Sequence, residues 1–167
     1  MTELTQQRLK ELLSYDPETG LFINLTQRAN VKAGAVAGCK HSSGYIYIKI
    51  DGKKYKSHRL AWLYVYGNIP EKGLDHINEI KDDNSIVNLR LATDQENMQN
   101  VSNPRIDNTS GFRGVGCSKN TKKWRARIAL NGKLKHLGTF NTREEAHDAY
   151  LKAKREIHPF WVEDKVA

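Results

Sequence analysis

The chain has 167 residues, with 27 Lys and Arg against 19 Asp and Glu and a net charge of +8, a balance that favours polyanionic partners. Cys39 and Cys117 stand alone with no C-x-x-C, which argues against a zinc-stapled scaffold and makes a reducing cytoplasm the default. No stretch has the form of a signal peptide or the length and apolarity of a membrane span, and the length suits two small domains, each with a modest core.

Leu9, Leu12 and Leu13 follow helical spacing, and Asp16-Pro17-Glu18-Thr19-Gly20 is turn chemistry. Tyr45 to Ile50, then Asp51-Gly52, then Lys53 to Tyr55 reads as a β-hairpin on an Asp-Gly turn. The hairpin feeds a helix from about Ser57 to Tyr66 that is apolar on nearly all sides and is expected to be buried. His58 and Arg59 open it, either as a helix start packed on the hairpin, which is the preferred reading, or as contacts to phosphate or the active site. After a turn at Pro70 to Gly73, short strands are expected at Gly73 to Ile77 and Leu89 to Leu91. Thr93-Asp94-Gln95-Glu96 has the capping-box form, so a helix should start at about Asp94 and carry Asn97 in its first turns. This β-β-helix order is expected to bring Asp75, His76 and Asn97 together.

Those side chains supply the parts for metal-assisted cleavage of a phosphodiester. His76, with an ordinary pKa near neutrality, can take a proton from water. Asp75 and Asn97 offer hard oxygen donors, which suit Mg²⁺ or Mn²⁺ with most of the coordination sphere left to water and substrate. Asn88 has no charge to contribute, so its natural role is to orient His76 through a hydrogen bond. Taken singly, such residues are more often turn or capping groups.

The C-terminal third changes character. Val101 to Ser110 is a polar, turn-rich connector. Residues 108–137 then contain eight Lys or Arg (Arg113, Lys119, Lys122, Lys123, Arg125, Arg127, Lys133, Lys135) and no Asp or Glu. Residues 108–162 hold twelve basic and four acidic residues, enough to account for the whole +8. GFRGVGCS, KKWRARIALNG and KLKHLGTF read as three β segments, the last two joined at Asn131-Gly132, so a three-stranded antiparallel sheet is expected. Along the middle strand Trp124, Ala126, Ile128 and Leu130 alternate with Arg125, Arg127 and Ala129, giving one apolar and one basic face. Thr142-Arg143-Glu144-Glu145 caps a helix whose stripe of Ala146, Ala149, Tyr150, Ala153 and Ile157 can cover the apolar face. The basic face stays open to a DNA major groove. Gly111, Gly114 and Gly116 read as turn and bulge glycines, since no phosphate-loop pattern accompanies them.

IPEKGLDHIN, NLRLAT and ENMQN resemble the HNH homing endonucleases, in the branch whose third motif residue is Asn and whose first His follows an Asp. The resemblance implies His76 as general base, Asp75 and Asn97 as metal ligands, and Asn88 as support for the base. LKELLSYDPETGLF and GYIYIKIDGKKYKSHRLAW are similar to the leader of phage and prophage proteins of this type. That similarity implies one nuclease module over residues 1–103 with its catalytic core at about 57–103, in a bacterial or phage-infected cell. SGFRGVG, W-x-A-x-I, LGTF and T-x-E-E-A-x-x-A-Y resemble the ethylene-response-factor (APETALA-like) DNA-binding domain, over about Asn108 to Trp161 within a 104–167 unit. This implies DNA contacts from Arg113, Arg125, Arg127 and His136; Gly116, Ser118, Ala129, Leu134 and His136 itself depart from the Arg or Trp that family places at its contact positions, so its target sequence does not carry over.

The expected protein is therefore α+β: a ββα-metal HNH module with an N-terminal helix and hairpin, followed by a three-stranded sheet packed on one helix. Its expected activity is metal-dependent DNA cleavage, one strand per catalytic set, by a monomer or a homodimer on double-stranded DNA and with no membrane partner. The alternative is a DNA-binding regulator that keeps a nuclease scaffold without cutting. An RNA partner fits less well, because a β-ribbon suits the DNA major groove better than the deep, narrow groove of A-form RNA.

Overall fold

The computed structural model describes residues 4–27, 31–118 and 121–163, and these form a mixed α+β fold with four α-helices and several small antiparallel sheets. Lys119 of the basic run lies outside the described residues. Internal packing divides the chain into two compact units at Asp94/Gln95. The division expected near residue 103 differs from this one by the short helix that carries Asn97.

In the N-terminal unit, helix α1 (Gln6–Leu12) starts at Thr5, whose side chain accepts the Arg8 amide at 3.2 Å. It runs directly into an antiparallel pair, β1 (Leu13–Tyr15) and β2 (Phe22–Asn24), closed by the Asp16 to Gly20 turn. Sequence reasoning recognised the turn but not these strands, because three residues are too few to establish an alternation. A three-stranded sheet follows in the order β3-β4-β5 (Cys39–Lys40, Ile46–Ile50, Lys53–Lys56). The β4–β5 turn has Asp51 at φ 46° and Gly52 at φ 83°, the positive values that a tight Asp-Gly hairpin turn requires. Helix α2 (Ser57–Tyr66) ends on Gly67 in the left-handed conformation, φ 81°.

The core of this unit gathers Leu9, Leu12, Leu13, Phe22, Ile48, Ile50, Leu60 and Leu63. Helix α2 is only partly enclosed: Leu60, Ala61 and Leu63 are buried, whereas Val65 and Tyr66 are exposed. Its all-round apolar character therefore overstates its burial. A second antiparallel pair, β6 (Gly73–His76) and β7 (Leu89–Ala92), sets Asp75 opposite Arg90 and His76 opposite Leu89. The loop between them ends in a 3₁₀ turn, Ile86–Asn88.

The C-terminal unit begins with most of helix α3 (Asp94–Asn100). Its sheet has the order β10-β9-β8 (Lys133–Phe140, Trp124–Leu130, Val115–Cys117), all antiparallel. Helix α4 (Arg143–Ile157) carries a complete capping box, with the Thr142 hydroxyl accepting the Glu145 amide at 3.1 Å and Glu145 Oε2 accepting the Thr142 amide at 3.3 Å. Ala146, Tyr150 and Ala153 pack with Val115, Ala126 and Ile128 in the core. The first β segment is shorter than expected: only Val115–Cys117 is strand, and the residues before it form turns. Gly114, at φ 77°, explains part of this, since a Cβ there would fall 2.2 Å from the Tyr150 ring.

Polar contacts bind the connector to this unit. Lys154, 1% exposed, donates its ammonium to the Val101 carbonyl at 2.9 Å, and Trp161 Nε1 donates to Ser102 Oγ at 3.2 Å. The connector is therefore tethered along its first residues.

Buried histidine makes the fold acid-sensitive. His58, 5% exposed in the first turn of α2, has its pKa pushed down to about 3 by burial and by the neighbouring His76, Lys56 and Arg59 charges. The unfolded chain binds this proton at the ordinary value near 6.5, so the contribution to stability is complete above pH 6.5 and is lost as the pH falls toward 3. Each pH unit in that window should cost about 1.4 kcal/mol for one such group. Urea unfolding at pH 7.5, 6 and 5 should show a steeper loss for wild type than for His58→Gln, and parallel curves would count against this role.

Candidate active site

The site is built around β6 and the loop that follows it. Asp75 and His76 are adjacent on this strand, and both are 5% exposed. Strand alternation would send their side chains to opposite faces, and their partners differ accordingly. Asp75 Oδ2 accepts Arg90 Nε at 3.0 Å and Nη2 at 2.8 Å. This charge-assisted pair, set by the β6–β7 register, compensates a carboxylate that would otherwise be costly to bury.

His76 sits among aromatic rings. The His58 ring lies edge-on to it at 5.0 Å between centroids and 87° between planes, and the Tyr45 ring is 5.9 Å away. Tyr45 also contacts His58 at 5.3 Å and carries the Lys56 and Lys81 ammonium groups at 4.4 and 5.1 Å from its centroid. Burial lowers the pKa of His76, against its hydrogen bond to Asn84 Oδ1 and the charges of Asp75, Asp83 and Asp82, which raise it. The ring is consequently neutral at pH 7, the state in which an imidazole can accept a proton. The preferred expectation for His58, a helix start packed on the hairpin, describes only part of its surroundings, because its ring also contacts His76. Its Nδ1 is buried and has no hydrogen-bond partner.

The loop from Ile77 to Asn88 is held mainly by amides and carboxylates. Asn88 Oδ1 accepts the Asn78 amide at 2.9 Å, and Asn88 Nδ2 donates to the Asp83 carbonyl at 2.8 Å. Asp83 in turn accepts from Asn78 Nδ2 at 2.7 Å and from Ser85 Oγ at 2.7 Å. Asn88, expected to orient His76, thus clamps the loop on itself. The amide facing His76 is that of Asn84, whose Oδ1 lies 3.3 Å from Nε2. Asn84 escaped sequence reasoning because Asp82-Asp83-Asn84 has the composition of an ordinary polar turn.

Among the described residues, no three His, Cys, Asp or Glu side chains converge as a metal cluster. The anionic donor here is one buried carboxylate, and its oxygen chemistry fits a hard divalent cation that keeps several waters. Asn97 lies on α3, in the C-terminal unit.

In that unit Arg125 and Arg127 alternate with the buried Ala126 and Ile128 on β9. The register places Thr139 beside Arg125, His136 beside Arg127 and Gly116 beside Arg125, on the face away from the core. Arg127 and His136 are exposed, while the half-buried Arg125 has an Nε without a hydrogen-bond partner. Arg113 is employed differently. Its guanidinium donates to the Asn103 carbonyl at 3.1 Å and to the Met98 carbonyl at 3.4 Å, tying the end of α3 and the connector to the unit. No helix among the described residues is long and apolar enough to cross a membrane.

Residues 55–99 match the HNH endonuclease family, an interval that includes α2, the Asp75-His76 strand, the polar loop and Asn97. Over 108 residues the chain is 33% identical to Protein 3.8 of Escherichia phage T7, an alignment that covers 64% of this chain and 87% of the phage protein. No solved structure matches. The chain therefore carries an HNH endonuclease domain at residues 55–99 and belongs to the same family as the phage T7 protein.

Proposed function

We propose that this protein is a metal-dependent, homing-endonuclease-like enzyme that nicks double-stranded DNA. The observation that carries the reading is His76: a buried imidazole, its pKa lowered by burial, adjacent in sequence to a buried carboxylate and inside the interval matched to the HNH endonuclease family. His76 takes the proton of the attacking water as the water oxygen bonds to phosphorus and the bond from phosphorus to the sugar 3′ oxygen breaks; the departing oxygen takes a proton from solvent, leaving a 5′ phosphate and a 3′ hydroxyl. Asp75 and Asn97 are the residues that would hold a divalent cation, Mg²⁺ or Mn²⁺. Such an ion supplies neutralisation of charge on the phosphate and the leaving oxygen. Asn88 supports the base by fixing the loop that follows it.

The C-terminal unit is assigned to DNA binding. Arg125, Arg127 and His136 present donors from one sheet face, and a two- or three-stranded ribbon of this kind fits a major groove. Arg113 has a structural share in this unit, since its guanidinium holds carbonyls of α3 and the connector. One catalytic set cuts one strand, so double-strand breaks require a second copy or rebinding on the other strand.

Purified protein incubated with supercoiled plasmid should convert it to nicked circles with Mg²⁺ or Mn²⁺ and not with a chelator. His76→Ala should lower the rate by on the order of 100-fold or more with DNA affinity nearly intact. Cleavage at the wild-type rate by that variant would remove His76 from the mechanism, and metal-independent binding without any cutting would favour a regulator built on a nuclease scaffold. Arg125→Ala combined with Arg127→Ala should weaken binding in a gel shift and reduce the salt dependence of log Kd by about one per lost phosphate contact. Weak, nonspecific nicking should survive in the double variant. Unchanged affinity and salt slope would place the DNA surface elsewhere.

A further inference from the structure

The imidazole of a general base must present one nitrogen to water and keep its proton on the other, and in a buried site the neighbours decide which nitrogen is which. Asn84 is 2% exposed, and its Nδ2 donates to the Asp82 carbonyl at 3.0 Å. That bond fixes the amide with Oδ1 toward His76 Nε2 at 3.3 Å. An amide oxygen can only accept, so Nε2 carries the proton and Nδ1 is the lone-pair nitrogen.

Asn84 is itself held from outside the matched HNH interval. The Tyr15 hydroxyl, from β1, donates to the Asn84 carbonyl at 2.7 Å. The Ile86 amide donates to the Pro17 carbonyl at 3.0 Å. Gly20, at φ 71°, lies so close that a Cβ would fall 2.3 Å from both the Asn84 carbonyl carbon and the Ser85 nitrogen. Three contacts from one turn therefore fall on three consecutive loop residues, and position 20 admits no side chain.

We propose that Asn84 is the positioning residue that sets the tautomer and orientation of His76, and that the Tyr15 to Gly20 turn is the brace that holds Asn84 in place. The inference rests on the reading of His76 as the general base. It divides two roles between two asparagines: Asn88 closes the loop on itself, and Asn84 addresses the ring. It also gives the N-terminal hairpin a function in the reaction, as the surface against which the catalytic loop is seated.

The test uses the full-length chain with uniform ¹⁵N labelling and reads two quantities: the imidazole ¹⁵N shifts of His76 at a fixed pH of 8, and the cleavage rate at saturating plasmid with its half-saturation concentration. Wild type should show a single tautomer protonated at Nε2. Asn84→Ala should give a tautomer mixture and a rate lower by on the order of 100-fold, with half-saturation unchanged. Asn84→Asp keeps an acceptor oxygen and should retain the single tautomer. Gly20→Ala should push the loop away from the turn, shift the His76 signals and lower the rate by about tenfold, in keeping with losses seen when groups supporting an active-site ligand are displaced.

A single wild-type tautomer together with a rate within about twofold of wild type in Asn84→Ala would overturn the proposal. If that variant does not fold, the aspartate variant decides: the Nε2-protonated tautomer there supports the assignment, and a mixture overturns it. A wild type that fails to cut, or a His76→Ala variant that cuts normally, defeats the base assignment instead, and the ¹⁵N shifts still report whether Asn84 orients the ring.

Discussion

Everything around the candidate site depends on burying a polar loop without leaving its amides unpaired. In the segment from Ile77 to Asn88 the aliphatic Ile80 and Val87 are exposed, yet the polar Asn84, Ser85 and Asn88 are all buried. A buried amide without a partner costs about as much as a lost hydrogen bond, roughly 1–3 kcal/mol. The loop meets this constraint by pairing internally, through Asp83 and Asn88, and externally, through Tyr15, Pro17 and the close approach of Gly20. Because these partners are specific in position and direction, the loop has one well-defined path, and His76 emerges from it with a fixed neighbour at Nε2.

The same arrangement explains the electrostatics. The Arg90 guanidinium compensates the buried Asp75 carboxylate, and the β6–β7 register guarantees that the two meet. His76 and His58 are compensated differently. They lie ring to ring in an aromatic pocket where charge is unfavourable, so both are held neutral. A neutral imidazole beside a paired carboxylate is an arrangement suited to proton abstraction next to an oxygen donor, which is why the loop packing and the proposed chemistry belong together.

The C-terminal unit solves a simpler problem by different means. Its strand alternation puts alanine, isoleucine and valine under α4 and leaves arginines on the other face, so the charge pattern follows directly from burial. Its lysine and arginine side chains are not equivalent, however. Lys154 and Arg113 are used internally, on carbonyls of the connector and the end of α3, whereas Arg127 remains exposed. A count of basic residues therefore overstates the charge available to a polyanion.

Much of this was legible in the sequence. The Asp51-Gly52 and Asn131-Gly132 hairpins, the helices beginning near Ser57, Asp94 and Arg143, and the apolar and basic faces of β9 are all local properties: a turn dipeptide, a capping residue or a period-two pattern is encoded in a few adjacent residues. Asp75 and His76 were visible for the same reason, as reactive groups on a recognisable strand. The partners were not. That Asn84 rather than Asn88 faces His76, that His58 lies against His76, that Arg113 ties a connector, and that Gly20 has to be glycine because of a loop 64 residues later are facts of contact between distant segments. The sequence by itself determined which elements form and which groups carry chemistry; only the tertiary structure decided which neighbour each group meets, because side-chain hydrogen bonds and close packing depend on where the chain returns, and no local pattern records that.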